Sequence, residues 1–378
     1  MHIIYLTNEY PKKGTNGGGI GSVVHFLGRQ LVSKGIRVSV VGMNNCTMNE
    51  NDNDNGVQVY RLAKSTWKFA KFYDNTKRIL KKINEINSVH SVDIVEGSEL
   101  NFSFFPKNTK YKKLIRLHGG HHFFAIELNK KPALWRGFQE RKSFRNADSF
   151  VAVSNYVGLK TRIYLQNNFD YKTIYNSINI NKFNESNTKK ISKNTLLFVG
   201  TVCEKKGVKD LVLAMYNIKK EFPDVILKIV GRDWFFPNGN SYTKYLKEYI
   251  SKDIEKNIQI LGPLPHNEIP TLIESAEICV FPSHMEAMPI AWLEGLSMGK
   301  PVVGTNIGPG REAIIQGETG ILAEPNSPED LSNKIKYLLN NKSKALEMGK
   351  HAREDILSRF NSETIVNQNI AFYKFLLD

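Results

Sequence analysis

Two glutamates, Glu286 and Glu294, carry the most specific chemical signal in the sequence. They follow an apolar, strand-like run at residues 278–282 and flank the start of a predicted helix. Pro289 suits the first turn of that helix, where a missing N–H costs nothing, and the amides near residues 288–290 would face an anion. Either glutamate alone is more simply an exposed helix residue. Because carboxylates accept hydrogen bonds from hydroxyls and repel phosphate, the pair together favours a ligand with hydroxyls at both ends and phosphates between them. A sugar nucleotide has this shape.

A second candidate is the loop at residues 200–208, which follows another predicted strand and contains Lys206 beside Gly207. A lysine at the end of a parallel strand is well placed to meet a phosphate. The Gly-Lys-Ser/Thr order of a Walker loop is absent. A solvated lysine pair explains this segment, taken alone, about as well.

Glycines also follow the first predicted strand, at residues 16–22, and include Gly18 and Gly19. Glycines between a strand and a helix let the backbone approach a ligand closely. Their spacing is not G-x-G-x-x-G, and no acidic residue lies at the distance that would hold a ribose, so a dinucleotide fingerprint is disfavoured. A flexible turn remains an equally good interpretation.

Three histidines lie close together after the fourth predicted strand: His118, His121 and His122. They suggest a metal at first sight, but no carboxylate or cysteine partner accompanies them at ligand spacing. The sequence therefore disfavours a metal and favours His118, at the strand end, as the functional residue.

Short apolar runs alternate with amphipathic stretches along the whole chain, which predicts parallel sheets with crossover helices. In the first half the predicted strands are residues 3–7, 37–42, 93–96, 113–118 and 150–154; in the second they are 196–201, 225–231, 258–262, 278–282 and 301–305. The predicted helices include residues 21–34, 209–221, 290–298 and 329–340. The polar run at residues 49–55 is predicted to be a loop tip.

The pattern restarts once, after a polar segment at residues 181–194. This predicts two Rossmann-like α/β domains, residues 1–185 and 186–360, and a C-terminal helix at 361–378 that packs back on the first domain. Ligands of such sheets bind beyond the carboxyl ends of the strands, so the sequence predicts a site in a cleft between the domains.

The composition is that of an ordinary globular protein of 378 residues with 41% hydrophobic residues. Its three cysteines are too few and too far apart for a disulfide framework or a metal site, which indicates a reducing compartment. We find no basic leader and no apolar run of roughly 20 residues that could cross a bilayer. The expectation is a cytoplasmic protein.

Positive charge is concentrated in the first half of the chain. Residues 1–185 carry 28 basic and 14 acidic side chains, whereas residues 186–378 carry 24 basic and 23 acidic side chains.

The segment at residues 61–82 holds eight Lys or Arg against one acid, Asp74, with aromatic residues between them. This suits peripheral contact with an anionic membrane, although an ordinary packed helix explains the aromatics equally well. Nucleic acid is a further candidate partner, but no nucleic-acid-binding motif appears. General solubility is the simplest alternative.

These motifs together resemble the retaining glycosyltransferases of family 4, which have the GT-B fold. The spacing of Glu286 and Glu294 and the segments at residues 308–312 and 317–322 carry the resemblance, which runs over essentially the whole chain. It implies that Glu286 holds donor-sugar hydroxyls and Glu294 the ribose. It also implies roles in donor binding or catalysis for these further residues: His118, Lys206, Gly18, Gly19, Asn176, Gly231, Met288, Pro289 and Ile290.

One position departs from the family pattern. The family usually has an arginine after the strand-end glycine, paired with the lysine, and this chain has Thr201 there. Charge on the leaving diphosphate must then be met by Lys206 alone, or with help from Arg232 or Arg311. A two-cation clamp is therefore in doubt.

The resemblance implies a metal-independent reaction without a cofactor, in which a nucleotide-sugar donor passes its sugar to a glycan or lipid-linked acceptor with retention of configuration. The basic first half would face the acceptor, at the inner face of a membrane. Three alternatives stay open: a non-catalytic sugar-nucleotide sensor, a basic nucleic-acid-binding protein, and an epimerase of similar shape.

Overall fold

A computed structural model describes residues 1–12, 19–44, 48–67 and 70–378. The chain divides into two compact units, the first formed by Met1–Ser177 with Ser362–Asp378 and the second by Ile178–Asn361. No helix within the described residues is both long and apolar enough to span a membrane.

The first unit contains one eight-stranded sheet. Its strands are β1 (His2–Leu6), β2 (Arg37–Asn44), β3 (Glu50–Asp54), β4 (Val57–Ala63), β5 (Ile94–Gly97), β6 (Lys112–Leu117), β7 (Ser149–Ala152) and β8 (Lys172–Thr173). Its first five helices are α1 (Gly19–Ser33), α2 (Lys71–Val89), α3 (His121–Glu127), α4 (Leu134–Asn146) and α5 (Asn155–Leu165). The strand order is β3-β4-β2-β1-β5-β6-β7-β8, and only the β3–β4 pair is antiparallel among these described strands.

The second unit is built on a six-stranded parallel sheet. Its strands are β9 (Thr195–Val199), β10 (Ile226–Val230), β11 (Ile258–Gly262), β12 (Ile278–Val280), β13 (Val302–Thr305) and β14 (Ile321–Ala323). Its helices are α6 (Val208–Glu221), α7 (Tyr242–Lys247), α8 (Ile269–Ser275), α9 (Ile290–Ser297), α10 (Gly310–Ala313), α11 (Pro328–Asn340) and α12 (Lys342–Arg359). The order β11-β10-β9-β12-β13-β14 is that of a doubly wound Rossmann sheet, whose switch point lies between β9 and β12.

The last helix, α13 (Ser362–Leu377), belongs to the first unit. Its Tyr373 hydroxyl lies 2.9 Å from the hydroxyl of Tyr5 on β1 and donates to Glu96 on β5 at 2.7 Å. Arg116 on β6 donates to the same Glu96 carboxylate at 2.6 Å and to Asn369 of α13 at 2.5 Å. These buried contacts join the end of the chain to three strands of the first sheet.

The boundary between the units falls at residues 177 and 178, earlier than the predicted 185 and 186. The reason is that residues after 177 bond to the second unit. The Ile178 amide donates to the Phe360 carbonyl at 3.0 Å, and the Ser186 amide donates to the Met298 carbonyl at 3.0 Å. Phe183 between them is buried.

The prediction of a loop tip at residues 49–55 was wrong, because Glu50–Asp54 forms β3. This strand pairs with β4 through a tight hairpin in which Asn55 has φ 51° and Gly56 has φ 90°. Positive φ at both central residues is the geometry that Asn-Gly favours in hairpins. An edge strand with exposed side chains tolerates the polar residues that had suggested a loop.

Candidate functional site

Lys206 and Glu286 contact each other at the switch point of the second sheet. Lys206 ends a short 3₁₀ turn after β9, and Glu286 lies in the segment between β12 and α9. The Lys206 ammonium donates to Glu286 Oε1, and the Ser283 hydroxyl donates to the same oxygen at 2.8 Å. Both side chains are only partly buried, so they can still reach a ligand. The structure therefore brings together the two residues that the sequence nominated from separate loops.

Neighbouring side chains hold the segment that carries Glu286. His284 Nε2 lies 2.7 Å from a carboxylate oxygen of Asp210, in the first turn of α6. The His284 amide donates to the Lys205 carbonyl at 2.8 Å, and the buried Thr305 hydroxyl donates to the Ser283 carbonyl. These contacts tie the ends of β9, β12 and β13 into one rigid frame.

Gly207 lets the lysine loop approach the end of β12. Its φ is +64°, and a Cβ at this position would lie 1.8 Å from the Pro282 carbonyl oxygen. That separation is impossible for real atoms, so only glycine keeps the two loops at their present distance. The packing of Lys206 against Glu286 depends on this approach.

We expect Gly207→Ala to lower the free energy of unfolding of the protein by about 3 kcal/mol or more, because a backbone clash is added to left-handed strain. Urea denaturation followed by circular dichroism measures the loss. Gly239→Ala is the matched control, since Gly239 has φ +84° but no atom within 4 Å of its added Cβ. The control should lose only about 1–2 kcal/mol. Equal losses in the two variants would contradict the role given to the Pro282 contact.

Thr201 and Arg232 form a second pair at the neighbouring strand ends. Arg232 Nε donates to the Thr201 hydroxyl at 3.3 Å, and the Val202 amide donates to the Arg232 carbonyl at 2.9 Å. A Cβ on Gly231 would lie 1.7 Å from the Gly200 carbonyl oxygen, so the glycine brings these strand ends together. The Arg232 side chain is exposed. Its guanidinium contacts Thr201, the residue at the position where glycosyltransferase family 4 usually has arginine.

The start of α9 lies after the same switch point. This helix begins at Ile290. Pro289 was predicted to lie in its first turn, but it lies immediately before the helix. Met288 and Pro289 are buried, and Ile290 is partly buried. The missing N–H of Pro289 is still harmless there, and the amide end of α9 adds positive potential beside Glu286.

Glu294, one turn into α9, is buried and has a partner that sequence reasoning missed. His266 Nε2 lies 3.0 Å from Glu294 Oε1, and Lys182 Nζ lies 2.5 Å from His266 Nδ1. Because an ammonium can only donate, Nδ1 must accept and Nε2–H must donate to the carboxylate. Burial lowers the pKa of Lys182. No motif marked His266, which reaches Glu294 from the segment between β11 and α8.

In the first unit, His118 follows the end of β6. Its amide donates to Oε1 of Glu99 at 2.7 Å, and the His122 amide donates to Glu140 at 2.8 Å. Both glutamates are buried, and burial raises the pKa of Glu99 to about 8. A Cβ on Gly120 would lie 1.8 Å from Glu140 Oε1. Two buried carboxyl groups therefore fix the backbone that carries His118, and sequence reasoning identified neither of them.

The other two histidines have separate structural partners. His121 Nε2 accepts from the Ala133 amide at 2.8 Å, and the His122 ring bonds to the buried Glu140 carboxylate. Among the described residues no group of three His, Cys, Asp or Glu side chains is arranged to hold a metal ion.

We expect the His118 ring to remain neutral down to about pH 4. Burial, helped by the positive charge of Arg116, lowers the pKa of His118 to about 3. Below about pH 6.5 the unfolded chain binds a proton that the folded site does not bind, so this group makes the protein less stable as pH falls.

Ring carbon shifts in a ¹³C-histidine NMR titration, with the His118 signal assigned by its absence from His118→Gln, measure the charge on the ring. The denatured protein in urea is the control, where the ring should titrate near pH 6.5. A midpoint above pH 5.5 in the folded protein would contradict the assignment.

The glycine loop after β1 is described only from Gly19, which begins α1. The prediction for Gly18 lies outside the described residues. Beyond the ends of β1, β2 and β4 there is a cavity of about 270 Å³, lined in part by Asn8, Tyr60 and Arg61. It lies at the edge of the sheet where ligands of parallel sheets bind.

Comparisons with known proteins agree with this architecture. Residues 17–182 match the family Glycosyltransferase Family 4, and residues 179–355 match Glycosyl transferases group 1. An uncharacterised glycosyltransferase of Methanocaldococcus jannaschii is 30% identical over 210 residues, which are 55% of this chain and 54% of the relative. The matched region thus spans about half the length of that curated relative.

Two solved structures resemble the chain over nearly its full length. Sucrose-phosphate synthase from Thermosynechococcus elongatus has a TM-score of 0.83 at 19% identity, covering 99% of this chain and 98% of the other. Anabaena HepE in complex with UDP-glucose has a TM-score of 0.78 at 17% identity, covering 99% of each chain. The fold is therefore GT-B. The chain belongs to glycosyltransferase family 4.

Proposed function

We propose that the protein is a retaining glycosyltransferase that moves a sugar from a nucleotide-diphosphate donor to a glycan or lipid-linked acceptor. The observation that carries the proposal is the arrangement at the carboxyl ends of β9, β10 and β12. Lys206 and Arg232 supply positive charge there, and the carboxylates of Glu286 and Glu294 flank the amide end of α9. Cations and amides suit a diphosphate, and carboxylates suit hydroxyl groups.

The assignment of donor groups follows from this chemistry. Glu286, beside Lys206, would accept hydrogen bonds from sugar hydroxyls next to the diphosphate. Glu294, already oriented by His266, would accept them from the ribose. The Anabaena structure is described as a complex with UDP-glucose, which supports a nucleotide sugar as the donor class here.

In the proposed reaction the acceptor oxygen bonds to the anomeric carbon as the bond from that carbon to the diphosphate oxygen breaks on the same face. The acceptor proton passes to the departing diphosphate. Lys206, Arg232 and the amides at the start of α9 stabilise the negative charge that develops on the leaving group. His118, neutral at working pH, would hydrogen-bond the donor sugar. This scheme uses neither a metal ion nor a cofactor.

We place this activity in cell-surface polysaccharide synthesis, including lipopolysaccharide, on the cytoplasmic side of the membrane. The support is the excess of positive charge in residues 1–185, which suits an anionic acceptor or the membrane that carries it. Nucleic acid is not proposed as a partner, because charge alone favours it and it leaves the glutamate pair without a role.

A non-catalytic sugar-nucleotide-binding protein is the second candidate, and the observation that favours it is Thr201 in place of the family arginine. Such a protein would bind one sugar nucleotide at the same groups without releasing the sugar. Turnover therefore separates the two candidates.

The test is a binding and hydrolysis screen of the purified protein against UDP-, GDP- and ADP-sugars. The variants are Glu286→Ala and Lys206→Ala, and the exposed Lys252→Ala serves as a control that removes the same charge elsewhere in the second unit. Selective binding and slow sugar release, lost in the first two variants only, supports the transferase. Binding without release under every acceptor tried supports the sensor. Absence of binding to all three donor classes contradicts both.

A further inference from the structure

Six apolar side chains from three separate segments form one surface on the first unit. We call it the aromatic surface and define it as Phe72 and Tyr73 of α2, Phe104 after β5, and Leu134, Trp135 and Phe138 of α4. Phe104 joins the helices: its ring centre lies 5.7 Å from that of Phe72, 6.1 Å from Tyr73 and 6.2 Å from Trp135. Trp135 stacks on Phe138 at 5.8 Å.

Five of these six side chains are exposed to a degree that folding does not explain, and Phe104 is partly buried between them. Leu134 is 93% exposed and Trp135 is 58% exposed, and Phe72, Tyr73 and Phe138 are also exposed. Scattered apolar residues are normal on a protein surface, but a contiguous patch marks a place of interaction. The sequence had pointed only to the part of this surface in residues 61–82; α4 and Phe104 join it through the fold.

Among the described residues, cations border the aromatic surface, and no acidic side chain of α2 or α4 is left without a partner. Lys77 lies over the Tyr73 ring at 4.8 Å, and Lys142 lies over the Phe104 ring at 4.7 Å. Lys71 and Arg136 are exposed beside Phe72 and Trp135. The three acidic residues of α2 and α4 are all engaged: Asp74 with Arg78, Glu85 with Lys82, and Glu140 buried against His122.

The aromatic surface lies toward the edge of the sheet that carries His118. Helix α4 ends at Asn146, just before β7 begins, so its first turn points to the opposite edge, where the strands end. The same holds for α2, which precedes β5. Phe104 follows the end of β5, as His118 follows the end of β6. A partner bound to this surface would therefore lie on the acceptor side of the proposed reaction.

We propose that the aromatic surface docks the protein on a bilayer that contains anionic lipid. Trp, Tyr and Phe beside Leu and Lys are the composition of an interfacial membrane contact, with rings at the acyl boundary and ammonium groups at the headgroups. The ring of cations makes anionic lipid the matching surface. The docking proposal rests on the proposed function. Docking would bring a lipid-linked acceptor to the edge of the first sheet that carries His118.

The test is cosedimentation with vesicles of phosphatidylcholine alone and of phosphatidylcholine with about 30% phosphatidylglycerol, at low and high salt. We expect binding only to the anionic vesicles, weakened at high salt. Trp135→Ala/Phe138→Ala should lower the partition coefficient by about tenfold or more, and Lys71→Glu/Lys77→Glu should do the same at low salt only. Phe375→Ala, which removes an exposed ring elsewhere in the same unit, is the control and should change nothing.

Three results would overturn the docking proposal: no binding of the parent protein to anionic vesicles, equal binding to neutral ones, or equal loss in Phe375→Ala. Sugar-nucleotide binding by the same variants, measured without vesicles, distinguishes a failure of the docking proposal from a failure of the proposed function. Retained donor binding with lost vesicle binding supports docking by this surface. If the parent protein binds anionic vesicles but none of the three classes of sugar nucleotide, the proposed function fails and the docking proposal stands.

Discussion

Lys206→Ala should lower the rate of sugar transfer or donor hydrolysis by about 10³-fold while the protein stays folded. The ammonium is the cation at the end of β9, and its loss removes charge stabilisation of the departing diphosphate. It also leaves the Glu286 carboxylate without the cation that it contacts, so the site would repel phosphate. The two effects act in the same direction, which is why the expected loss exceeds that of a single ligand contact.

Stability separates this role from a structural one. The Lys206–Glu286 pair is partly solvated, and such pairs contribute about 1 kcal/mol or less. The melting temperature of Lys206→Ala should therefore fall by no more than about 4 °C. Rates are measured as kcat/KM for the donor identified in the screen, with Lys252→Ala as the charge-matched control.

Glu286→Gln in the Lys206→Ala background is the discriminating experiment. If Lys206 only neutralises Glu286, the double variant should regain most of the activity that the single variant lost. If Lys206 stabilises the diphosphate directly, the double variant should stay as slow as Lys206→Ala or slower. Full recovery would contradict the donor-binding role of Lys206.

The sheets could be predicted from sequence because their strands are buried on both faces. The runs at residues 3–6 and 196–199 are continuously apolar, and their burial follows that pattern. The hairpin of β3 and β4 was missed because its outer strand is polar and exposed. The signal that could have found it was Asn55-Gly56 followed by the alternating pattern of Val57–Ala63.

The candidate site was predictable to the extent that it depends on where parallel strands end. Lys206 and Glu286 follow β9 and β12, which are neighbours in the sheet, so their loops meet at one edge. His266 and Glu140 could not be found in this way. His266 follows an edge strand, and Glu140 reaches the His118 loop from the middle of a helix, so only tertiary packing reveals their partners.

Arg232 is the residue through which this chain can compensate for Thr201. The family arginine would follow the glycine at the end of β9, and Arg232 follows the glycine at the end of β10, the next strand. Its guanidinium donates to the Thr201 hydroxyl, so a positive charge lies beside the position where the family usually has arginine. Arg311 is the other candidate, but its Nε donates to Asn306 at 2.7 Å, after β13 on the other side of the switch point.

We therefore expect Arg232→Ala to lower kcat/KM for the donor by about 10²-fold, and Arg311→Ala to lower it by less than about threefold. Thr201→Ala should also have a small effect, because the hydroxyl positions the guanidinium but carries no charge. Arg232 and Arg311 are exposed and Thr201 is only partly buried, so the melting temperatures of these variants should stay close to that of the parent protein.

The role of this second cation is tested most directly by moving the positive charge from the end of β10 to the end of β9. In Thr201→Arg/Arg232→Ala the cation returns to the family position, and we expect kcat/KM to recover at least about tenfold over Arg232→Ala alone. Recovery shows that the site needs a second cation and accepts it from either strand end. If Arg232→Ala is as active as the parent and Thr201→Arg raises activity further, Arg232 does not serve the diphosphate and Lys206 acts alone. The activity of Arg232→Ala relative to the parent protein differs between the two outcomes, so one set of steady-state measurements decides between them.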